Sequence, residues 1–498
     1  MAALDAGDYE TADRIFRSVV EQDPGAHPAW VALAVIAIHA GSPDLAVEHA
    51  RRAVALDRNN ADYLNKLGIA LGEQGDLRAA EQAFRRALKL NPAYAGAHHN
   101  LAKALQKQGK LAESLKEFER AHRLQPGVAE MQASLCGIYR LQGEPARALE
   151  VLRAAVRDGT PHPALIPHFA DCIADVEGPA AAVSWLQNLL EQQPGSQPAH
   201  YALAFMLLSV GEWREGWKHH LWRPRSAERP ERLPDQERII LRAEYGLGDV
   251  LFFLRFAPQL HKPFALYLPP QLAKLAPLLS DRIELADASV ASTGLPDLPS
   301  LLQAETTPPA FPLRAHGDGL EKLARLGPSP YLGLTWRAGT DLRRGREFGV
   351  DQRVLLKEIP PALLGRAVRG WPGTLVSLQR GSTPDEVQLL REASGKEIHD
   401  LSSANEDLRE ALAVLAVLDD YVAVSNTNIH LRAALGRTAR VLVPNPPEWR
   451  WMRTGEASPW FPGSSVYRQP ASRDWTAPLR RLREDLLPSG GARPPAPA

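Results

Sequence analysis

A helical pattern that returns at every thirty-fourth position runs through residues 1–224, and it limits what this chain can fold into more than any other feature. A proline or its replacement, a small residue and a glycine each recur at this interval. The small residues are Ala12, Ala46, Ala80, Ser114, Ala148 and Ala182, and the glycines are Gly7, Gly41, Gly75, Gly109, Gly143 and, two steps on, Gly211. Such a repeat predicts two antiparallel helices per unit, with small residues where the helices approach closely. The sequence therefore predicts an all-α superhelix over residues 1–224.

The repeat resembles the tetratricopeptide repeat, and the match is best over residues 61–92, at Leu64, Leu67, Gly68, Ala80, Phe84, Ala87 and Pro92. Arrays of such repeats present a concave surface that binds segments of other proteins. We expect inward-facing polar side chains to bind an acceptor protein, and the candidates are Asn65, His98, Asn100 and Lys103. Packing is the expected role of the other repeat positions.

Composition and charge exclude several classes of protein. The chain has 58 basic and 58 acidic residues, so we expect neither a nucleic acid nor an anionic membrane as a partner. Its two cysteines, Cys136 and Cys172, both fall in the repeats, which argues against a disulfide framework. No apolar run is long enough for a transmembrane helix, and the first residues lack the layout of a signal peptide, so a cytoplasmic location is expected. No residues have the spacing of metal ligands, and no metal or other cofactor is expected.

The second half has a different pattern. A linker rich in proline and charge at 225–236 is followed by short apolar strands that alternate with helices. The strand candidates are 238–242, 264–268, 331–336, 374–378, 420–424 and 440–443. This alternation predicts parallel sheets in two Rossmann-like domains, at 237–325 and 330–487, that face each other across a cleft. The tail at 488–498, rich in glycine, proline and alanine, is expected to be disordered.

The first strand of this half ends in a glycine-containing junction. Gly246 and Gly248 allow a tight turn and close approach of the backbone, and Asp249 falls at the start of the next helix. Its carboxylate could act as a general base toward an acceptor hydroxyl. Capping of the helix is the alternative role of Asp249, and Glu244 is the second candidate for the base.

A second junction follows the strand at 420–424. The free N–H groups of its helix, with Asn426, Thr427 and Asn428, would suit a diphosphate, and His430 lies one turn further along the helix. Helix packing is the alternative role of His430.

A third strand ends before a loop rich in arginine. Arg337 opens this loop, Arg344 and Arg346 follow, and guanidinium groups at a strand end suit bidentate contacts to phosphate. Exposure to solvent is the alternative for most of these arginines.

These junctions resemble those of heptosyltransferase-like glycosyltransferases of the GT-B fold, in the bacterial branch that carries tetratricopeptide repeats. The matching segments are 243–249, 333–336, 376–379, 424–430 and the tryptophan-rich 447–475. The resemblance implies a metal-independent, inverting transfer of sugar from a nucleotide donor, with Asp249 as the base and with Trp336 and Gln379 in the donor site. Repeat-fused relatives are associated with protein glycosylation, flagellin among their substrates, and O-GlcNAc transferases are a broader analogy.

The chain departs from the family pattern at three places. Asn426 replaces an aspartate, Tyr245 replaces a glutamine, and the phosphate loop at 340–346 is altered. We therefore expect a glycosyltransferase that acts on a hydroxyl acceptor, with a non-catalytic repeat scaffold that carries a degenerate transferase domain as the alternative. A lipopolysaccharide-type sugar transferase ranks lower, because no basic amphipathic helix offers an interfacial docking surface.

Overall fold

The computed structural model describes residues 2–156, 161–224, 230–287, 293–338 and 357–487. Their contacts divide the chain into two compact units, Met1–Cys172 and Ile173–Ala498. We refer to them as the repeat unit and the α/β unit. Residues 225–229 of the predicted linker and the predicted tail at 488–498 lie outside the described residues.

The described part of the repeat unit is all-α, and its helices follow one another in antiparallel pairs. They are α1 (Ala2–Asp5), α2 (Tyr9–Gln22), α3 (His27–His39), α4 (Pro43–Leu56), α5 (Ala61–Gln74), α6 (Leu77–Leu90), α7 (Ala95–Lys107), α8 (Leu111–Leu124), α9 (Ala129–Leu141), α10 (Pro145–Ala155) and α11 (Ile166–Val176), in which the unit ends. A short 3₁₀ helix at Pro163–Leu165 precedes α11. The predicted all-α repeat fold is confirmed for this unit.

Glycine forms the turn within each pair. The six predicted turn glycines have φ angles between 70° and 95°, in the left-handed region that favours glycine. Gly178, with φ 97°, supplies a further turn that strict repetition of the sequence interval misses, because the same step from Gly143 ends on Glu177. The predicted small residues are equally regular, since Ala12, Ala46, Ala80, Ser114, Ala148 and Ala182 are each 0% exposed.

One position of the repeat binds the proline in the turn that precedes its helix. Its side chain donates to the main-chain carbonyl six residues earlier, as Trp30 does to Pro24 at 3.0 Å, His98 to Pro92 at 3.0 Å, Gln132 to Pro126 at 2.7 Å and His200 to Pro194 at 2.9 Å. These donors lie at whole multiples of the repeat period from one another. The position therefore fixes how the chain enters the first helix of a pair.

The α/β unit begins with three helices, α12 (Pro179–Gln192), α13 (Gln197–Val210) and α14 (Trp213–His220). The sequence predicts α12 and α13 as the end of the repeat array and α14 as a capping or docking helix before residue 224. Trp217 on α14 is 1% exposed within the core that contains Phe252, Phe256 and Trp460. Burial of this indole accounts for the inclusion of α14 in the α/β unit.

A four-stranded sheet follows. Its parallel strands are β1 (Ile239–Arg242), β2 (Phe264–Tyr267), β3 (Glu284–Leu285) and β4 (Thr293–Gly294), in the order β3–β2–β1–β4. The helices are α15 (Leu247–Phe253), α16 (Ala276–Leu279), α17 (Leu298–Leu301) and α18 (Gly319–Ala324), with 3₁₀ helices at Leu254–Gln259, Pro270–Leu275 and Leu295–Asp297. The strand order reverses beside β1.

A six-stranded parallel sheet completes the unit. Its strands are β5 (Tyr331–Thr335), β6 (Thr374–Ser377), β7 (Ile398–Asp400), β8 (Asp420–Val424), β9 (Arg440–Val443) and β10 (Ser465–Arg468). The helices are α19 (Pro361–Val368), α20 (Pro384–Ser394), α21 (Leu408–Val417), α22 (Thr427–Ala434) and α23 (Thr476–Leu486), with 3₁₀ helices at Ser402–Glu406 and Trp449–Trp451.

The order of the second sheet is β10–β9–β8–β5–β6–β7. Numbered from β5, this is the 3-2-1-4-5-6 order of doubly wound nucleotide-binding sheets. The predicted α/β class and parallel pairing are therefore confirmed, and all six strand candidates are strands. In such sheets ligands bind at the carboxyl ends of the strands where the order reverses, which here is between β5 and β8.

Gly68 on α5 gives a direct test of the repeat packing. A β-carbon at Gly68 would lie 2.5 Å from the ring of Phe84, whereas one at Gly72 of the same helix would meet only the Ala80 methyl, at 4.0 Å. We expect Gly68→Ala to lower the free energy of unfolding by about 1–3 kcal/mol, because the ring must move. Gly72→Ala, the matched control, should raise it by up to about 1 kcal/mol through helix propensity. Urea unfolding followed by circular dichroism measures both, and equal effects of the two substitutions would contradict this packing.

Glu81 on α6 ties one repeat to the next. Its carboxylate accepts hydrogen bonds from Lys110 Nζ at 2.8 Å, Arg85 Nε at 2.9 Å and Gln108 Nε2 at 3.0 Å. The hydrogen bond from Lys110, helped by those from Arg85 and Gln108, lowers the pKa of Glu81 to about 2, although burial opposes the shift.

We expect Glu81→Gln to lower the free energy of unfolding at pH 7 by about 1–2 kcal/mol. The folded pKa lies below the ordinary value of 4.5, so this contribution is complete above pH 4.5 and is lost as the pH falls toward 2. The stability difference between the native protein and Glu81→Gln should shrink across that window in urea unfolding.

The control is Glu113→Gln, because Glu113 contacts the same Arg85 at 3.0 Å with a side chain that is 55% exposed. It should change stability by less than about 1 kcal/mol at any of these pH values. A Glu81→Gln effect that stays constant from pH 6 to pH 2.5 would contradict the account.

Candidate functional site

Two of the predicted junctions meet inside the α/β unit. The junction after β1 leads into α15, which packs against α22, the helix of the junction after β8. A β-carbon at Gly248 would lie 3.1 Å from His430 Cδ2 and 3.6 Å from Thr427 Oγ1, so only glycine permits this approach without displacing a side chain. The two junctions therefore lie side by side, and we call the region formed by residues 246–249, 425–430 and 448–450 the cleft.

Asp249 lies at the centre of the cleft, and both of its carboxylate oxygens accept hydrogen bonds. Oδ2 accepts from the Gly246 N–H at 3.2 Å, which caps α15, and Oδ1 accepts from Arg450 Nη2 at 2.6 Å. The side chain remains 33% exposed. Both roles that the sequence offers for Asp249 are thus compatible, because the carboxylate caps the helix and still reaches the cleft.

A chain of charges continues from Asp249 across the cleft. Arg450 Nη1 donates to Glu448 Oε1 at 2.5 Å, and Glu448 Oε2 accepts from Lys357 Nζ at 2.6 Å and from Ser425 Oγ at 3.1 Å. Burial alone would raise the pKa of Glu448, but Lys357 and Arg450 outweigh it and hold that pKa well below its ordinary value. Glu448 is therefore charged, and it orients both cations.

Aromatic rings enclose the guanidinium of Arg450. It lies over the rings of Phe252, at 4.6 Å, and Trp449, at 4.7 Å. Aromatic rings thus hold the faces of the Arg450 guanidinium, and the carboxylates of Asp249 and Glu448 accept from its two Nη atoms. Its Nε–H is buried and has no hydrogen-bond partner among the described residues.

His430 lines the same space as a neutral side chain. It is 8% exposed, and its ring centroid lies 5.3 Å from that of Phe461 and 6.1 Å from that of Phe252. Burial lowers its pKa well below the ordinary value, and the charges of Arg450 and Arg255 add to the effect. The packing that the sequence offers as an alternative for His430 accounts for these contacts.

Arg255 adds a further buried cation. It is 2% exposed and donates to the carbonyls of Phe252 and Trp460, each at 2.9 Å, with no carboxylate partner among the described residues. Burial and the nearby Arg450 lower its pKa to about 9. Among the described residues around the cleft, the cations Arg255, Lys357 and Arg450 outnumber the carboxylates Asp249 and Glu448 by one, an excess that an anionic ligand would offset.

The predicted donor-side residues after β5 are held by other side chains. Gln379 Oε1 accepts from the N–H groups of Trp336, at 3.0 Å, and Arg337, at 2.8 Å. Arg337 also pairs with Glu386, Nε to Oε1 at 2.9 Å and Nη2 to Oε2 at 3.1 Å, and Trp336 is 1% exposed. Gln379 and Trp336 thus shape the strand end, and the guanidinium of Arg337 is directed to Glu386 on α20. Arg344 and Arg346 lie outside the described residues.

The polar residues of the second junction build the start of α22. Asn426 Oδ1 accepts from the Ile429 N–H at 3.3 Å, so the Asn426 amide is the N-cap of this helix. Asn428 Nδ2 donates to Asn405 Oδ1 at 3.0 Å. Thr427, the first residue of α22, faces Gly248 across the cleft.

Glu244, the second candidate for the base, belongs to a separate cluster. It accepts from Arg223 Nη2 at 2.8 Å and from Arg242 Nη2 at 2.9 Å. Arg223 is 1% exposed and also pairs with Asp297. Two arginines therefore engage Glu244, one on each carboxylate oxygen.

Four residues of the cleft and its surroundings are not among those predicted from the sequence, namely Arg450, Glu448, Lys357 and Arg255. Glu448 and Arg450 fall within the tryptophan-rich segment 447–475, which carries part of the resemblance to glycosyltransferases. The sequence does carry a signal for these two residues, because the opposite charges of Glu448 and Arg450 stand two residues apart soon after β9, the strand that pairs with β8. Lys357 and Arg255 show no comparable pattern.

The predicted protein-binding residues of the repeat unit divide into two groups. Asn100 Nδ2 donates to Asn65 Oδ1 at 3.0 Å, and Asn65 Nδ2 donates to Tyr94 Oη at 3.2 Å. These residues form a polar ladder across neighbouring repeats. His98 pairs with Glu117 at 2.6 Å and caps Pro92, so its ring serves the repeat itself. Lys103 lies 3.7 Å from Glu130.

Two kinds of feature are absent from the described residues. They contain no group of three or more histidine, cysteine, aspartate or glutamate side chains placed to hold a metal ion. No helix among them combines the length and apolar character needed to cross a membrane.

Comparison with known proteins concerns the repeats. Family models described as tetratricopeptide repeat match residues 3–68, 65–129 and 99–163. The crystal structure of MamA is 25% identical, with a TM-score of 0.28, and covers 31% of this chain and 90% of its own. The pilF structure of Pseudomonas aeruginosa is 26% identical, with a TM-score of 0.34, and covers 40% and 90%. No curated protein matches the chain. Residues 3–163 are therefore tetratricopeptide repeats.

Proposed function

We propose that this protein is a metal-independent, inverting glycosyltransferase of the GT-B type. It transfers a sugar from a nucleotide-sugar donor to a hydroxyl group, and tetratricopeptide repeats, which bind segments of other proteins, hold the acceptor protein. The observation that carries the proposal is the convergence of Asp249 and the start of α22 on one cleft at the carboxyl ends of two parallel sheets. The family resemblance of these same junctions supports it.

The charges of the cleft suit a diphosphate. The first main-chain N–H groups of α22 would bind the diphosphate beside that of Ile429, which Asn426 caps, and Thr427 would add a hydroxyl group. Arg450 and Lys357 add positive charge, and the excess of buried cations there favours a negatively charged ligand. The nucleotide sugar is a co-substrate in this proposal, so no resident cofactor is needed.

The chemistry requires one base and one stabilised leaving group. The acceptor hydroxyl loses its proton to Asp249 as its oxygen bonds to the anomeric carbon of the sugar. The bond from that carbon to the diphosphate breaks on the opposite face, and its electron pair leaves with the nucleoside diphosphate. Arg450, Lys357 and the N–H groups of α22 stabilise the charge that develops on the departing oxygen.

In this proposal the repeats bind the acceptor protein. Asn100 presents a half-buried amide that donates to the buried Asn65, and Lys103 adds a cation that is 36% exposed. Amide groups hydrogen-bond an extended main chain regardless of its side chains. This favours a protein acceptor recognised through its backbone.

A non-catalytic scaffold is the second candidate, and one observation favours it. Asp249 is paired with Arg450 in the structure, and Asn426 stands where the family carries an aspartate. A transferase domain that retained only its fold could keep such a pair as a structural contact.

Asp249→Ala separates the two candidates. We expect it to keep the fold and to bind nucleotide at least as tightly as the native protein, and to lower the transfer rate by at least about 10²-fold, because the acceptor loses its base. The measurement combines calorimetry against UDP-, GDP-, ADP- and CMP-linked sugars with transfer of radiolabelled sugar to protein in a cell lysate.

Glu406→Gln is the control, because it removes a carboxylate whose side chain is 61% exposed and which pairs with Lys274 at 3.0 Å outside the cleft. It should leave transfer unchanged. Undiminished transfer by Asp249→Ala would remove Asp249 from the mechanism. Failure of the native protein to bind any donor of the panel would favour the scaffold.

A further inference from the structure

The pair between Asp249 and Arg450 poses a chemical problem for the proposed base. Both oxygens of the Asp249 carboxylate are occupied, Oδ1 by a charged hydrogen bond from Arg450 at 2.6 Å and Oδ2 by the main-chain N–H of Gly246. Proton transfer from an acceptor hydroxyl therefore requires Arg450 to move away or to turn.

We propose that Arg450 is a donor-responsive positioning residue, which a bound diphosphate draws away from Asp249 so that the carboxylate becomes free to act as the base. This inference rests on the proposed function, because it gives the order of events by which the same site becomes able to catalyse the transfer. Binding of the donor would thereby precede activation of the acceptor.

The contacts of Arg450 make such an exchange feasible. Its guanidinium divides its donors between Asp249 and Glu448, and its buried Nε has no partner among the described residues. A phosphate group offers several strong acceptor oxygens and engages guanidinium in a bidentate manner. The rings of Phe252 and Trp449 hold the faces of the group, so it can turn in its plane without losing these contacts.

Glu448 keeps Arg450 near the proposed nucleotide-sugar site while Arg450 exchanges Asp249 for the diphosphate. This carboxylate also binds Lys357 and the hydroxyl of Ser425, the residue that directly follows β8. Arg450 thus stays tethered beside the start of α22 when it leaves Asp249. The two carboxylates have different roles, because Glu448 anchors the guanidinium and Asp249 competes for it.

Competition for one guanidinium has a measurable thermodynamic consequence. If Asp249 and a diphosphate both require Arg450, then removing the charge of Asp249 must strengthen diphosphate binding. A purely structural ion pair predicts the opposite or no effect. Asp249→Asn tests this directly, because asparagine retains the shape of the side chain and an oxygen that can accept from the Gly246 N–H.

The experiment is isothermal calorimetry of the full chain with UDP, GDP, ADP and CDP. For the diphosphate that the native protein binds, we expect Asp249→Asn to bind about tenfold more tightly. Arg450→Lys should bind at least about tenfold more weakly, because lysine cannot make the bidentate contact. In the double variant Asp249→Asn with Arg450→Lys, the tenfold gain should disappear.

Glu406→Gln is again the matched control. Its partner Lys274 precedes β3 and Glu406 follows β7, so this exposed pair also joins the two sheets. Its loss should change diphosphate affinity by less than about twofold. An equal gain in Glu406→Gln and Asp249→Asn would assign the effect to loosening between the sheets and would overturn the inference.

The other outcomes separate the inference from the proposed function. If the native protein binds a nucleoside diphosphate and Asp249→Asn binds it equally or more weakly, the inference is wrong and the proposed function stands. If the gain persists in the double variant, Arg450 does not mediate it and the inference is also wrong. If no protein binds any of the four nucleotides, the proposed function fails, and the inference fails with it.

Discussion

The ion pair between Asp249 and Arg450 connects the two sheets of the α/β unit at the point where both could bind a ligand. Asp249 follows β1 and Arg450 follows β9, so each charge comes from the carboxyl end of a different sheet. Open parallel sheets place their ligands at such ends. The contact between Gly248 and His430 brings the junctions close, and the pair then fixes which charges face the cleft.

Burial makes this arrangement costly unless charges are matched. Arg450, Lys357, Glu448 and Asp249 neutralise one another through short contacts, and aromatic rings cover the guanidinium of Arg450. Arg255 has only carbonyl and aromatic partners among the described residues, and burial, together with the charge of Arg450, lowers its pKa. An anionic ligand would supply the charge that the described residues lack.

Periodicity makes the repeats predictable from sequence. Small residues, turn glycines and hydrogen bonds to a turn proline, such as that from His98 to Pro92, recur at the same interval. A local sequence pattern therefore predicts the packing directly. The end of the array is less predictable. The repeat register decays from Trp213, and the burial of Trp217 depends on Phe256 and Trp460, which lie far away in the sequence.

The cleft is predictable only in part, for the same reason. Local sequence patterns predict Asp249 and the start of α22, because glycine turns and helix starts depend on residues that are close in the sequence. The partner of Asp249 lies 201 residues away, and no local pattern links the two. The engagement of Arg337 by Glu386 and of Glu244 by Arg223 is likewise a tertiary effect. The sequence indicates which residues carry charge, whereas tertiary packing decides which of these charges remain available to a ligand.

The most direct test of the central claim is a crystal structure of the protein with the nucleoside diphosphate that it binds. Our account predicts the diphosphate at the first N–H groups of α22, with the Arg450 guanidinium bonded to phosphate oxygens and the Asp249 carboxylate facing an open acceptor space. A nucleotide bound elsewhere on the α/β unit would contradict the assignment of the cleft. A diphosphate in the cleft with Arg450 still paired to Asp249 would contradict the proposed exchange.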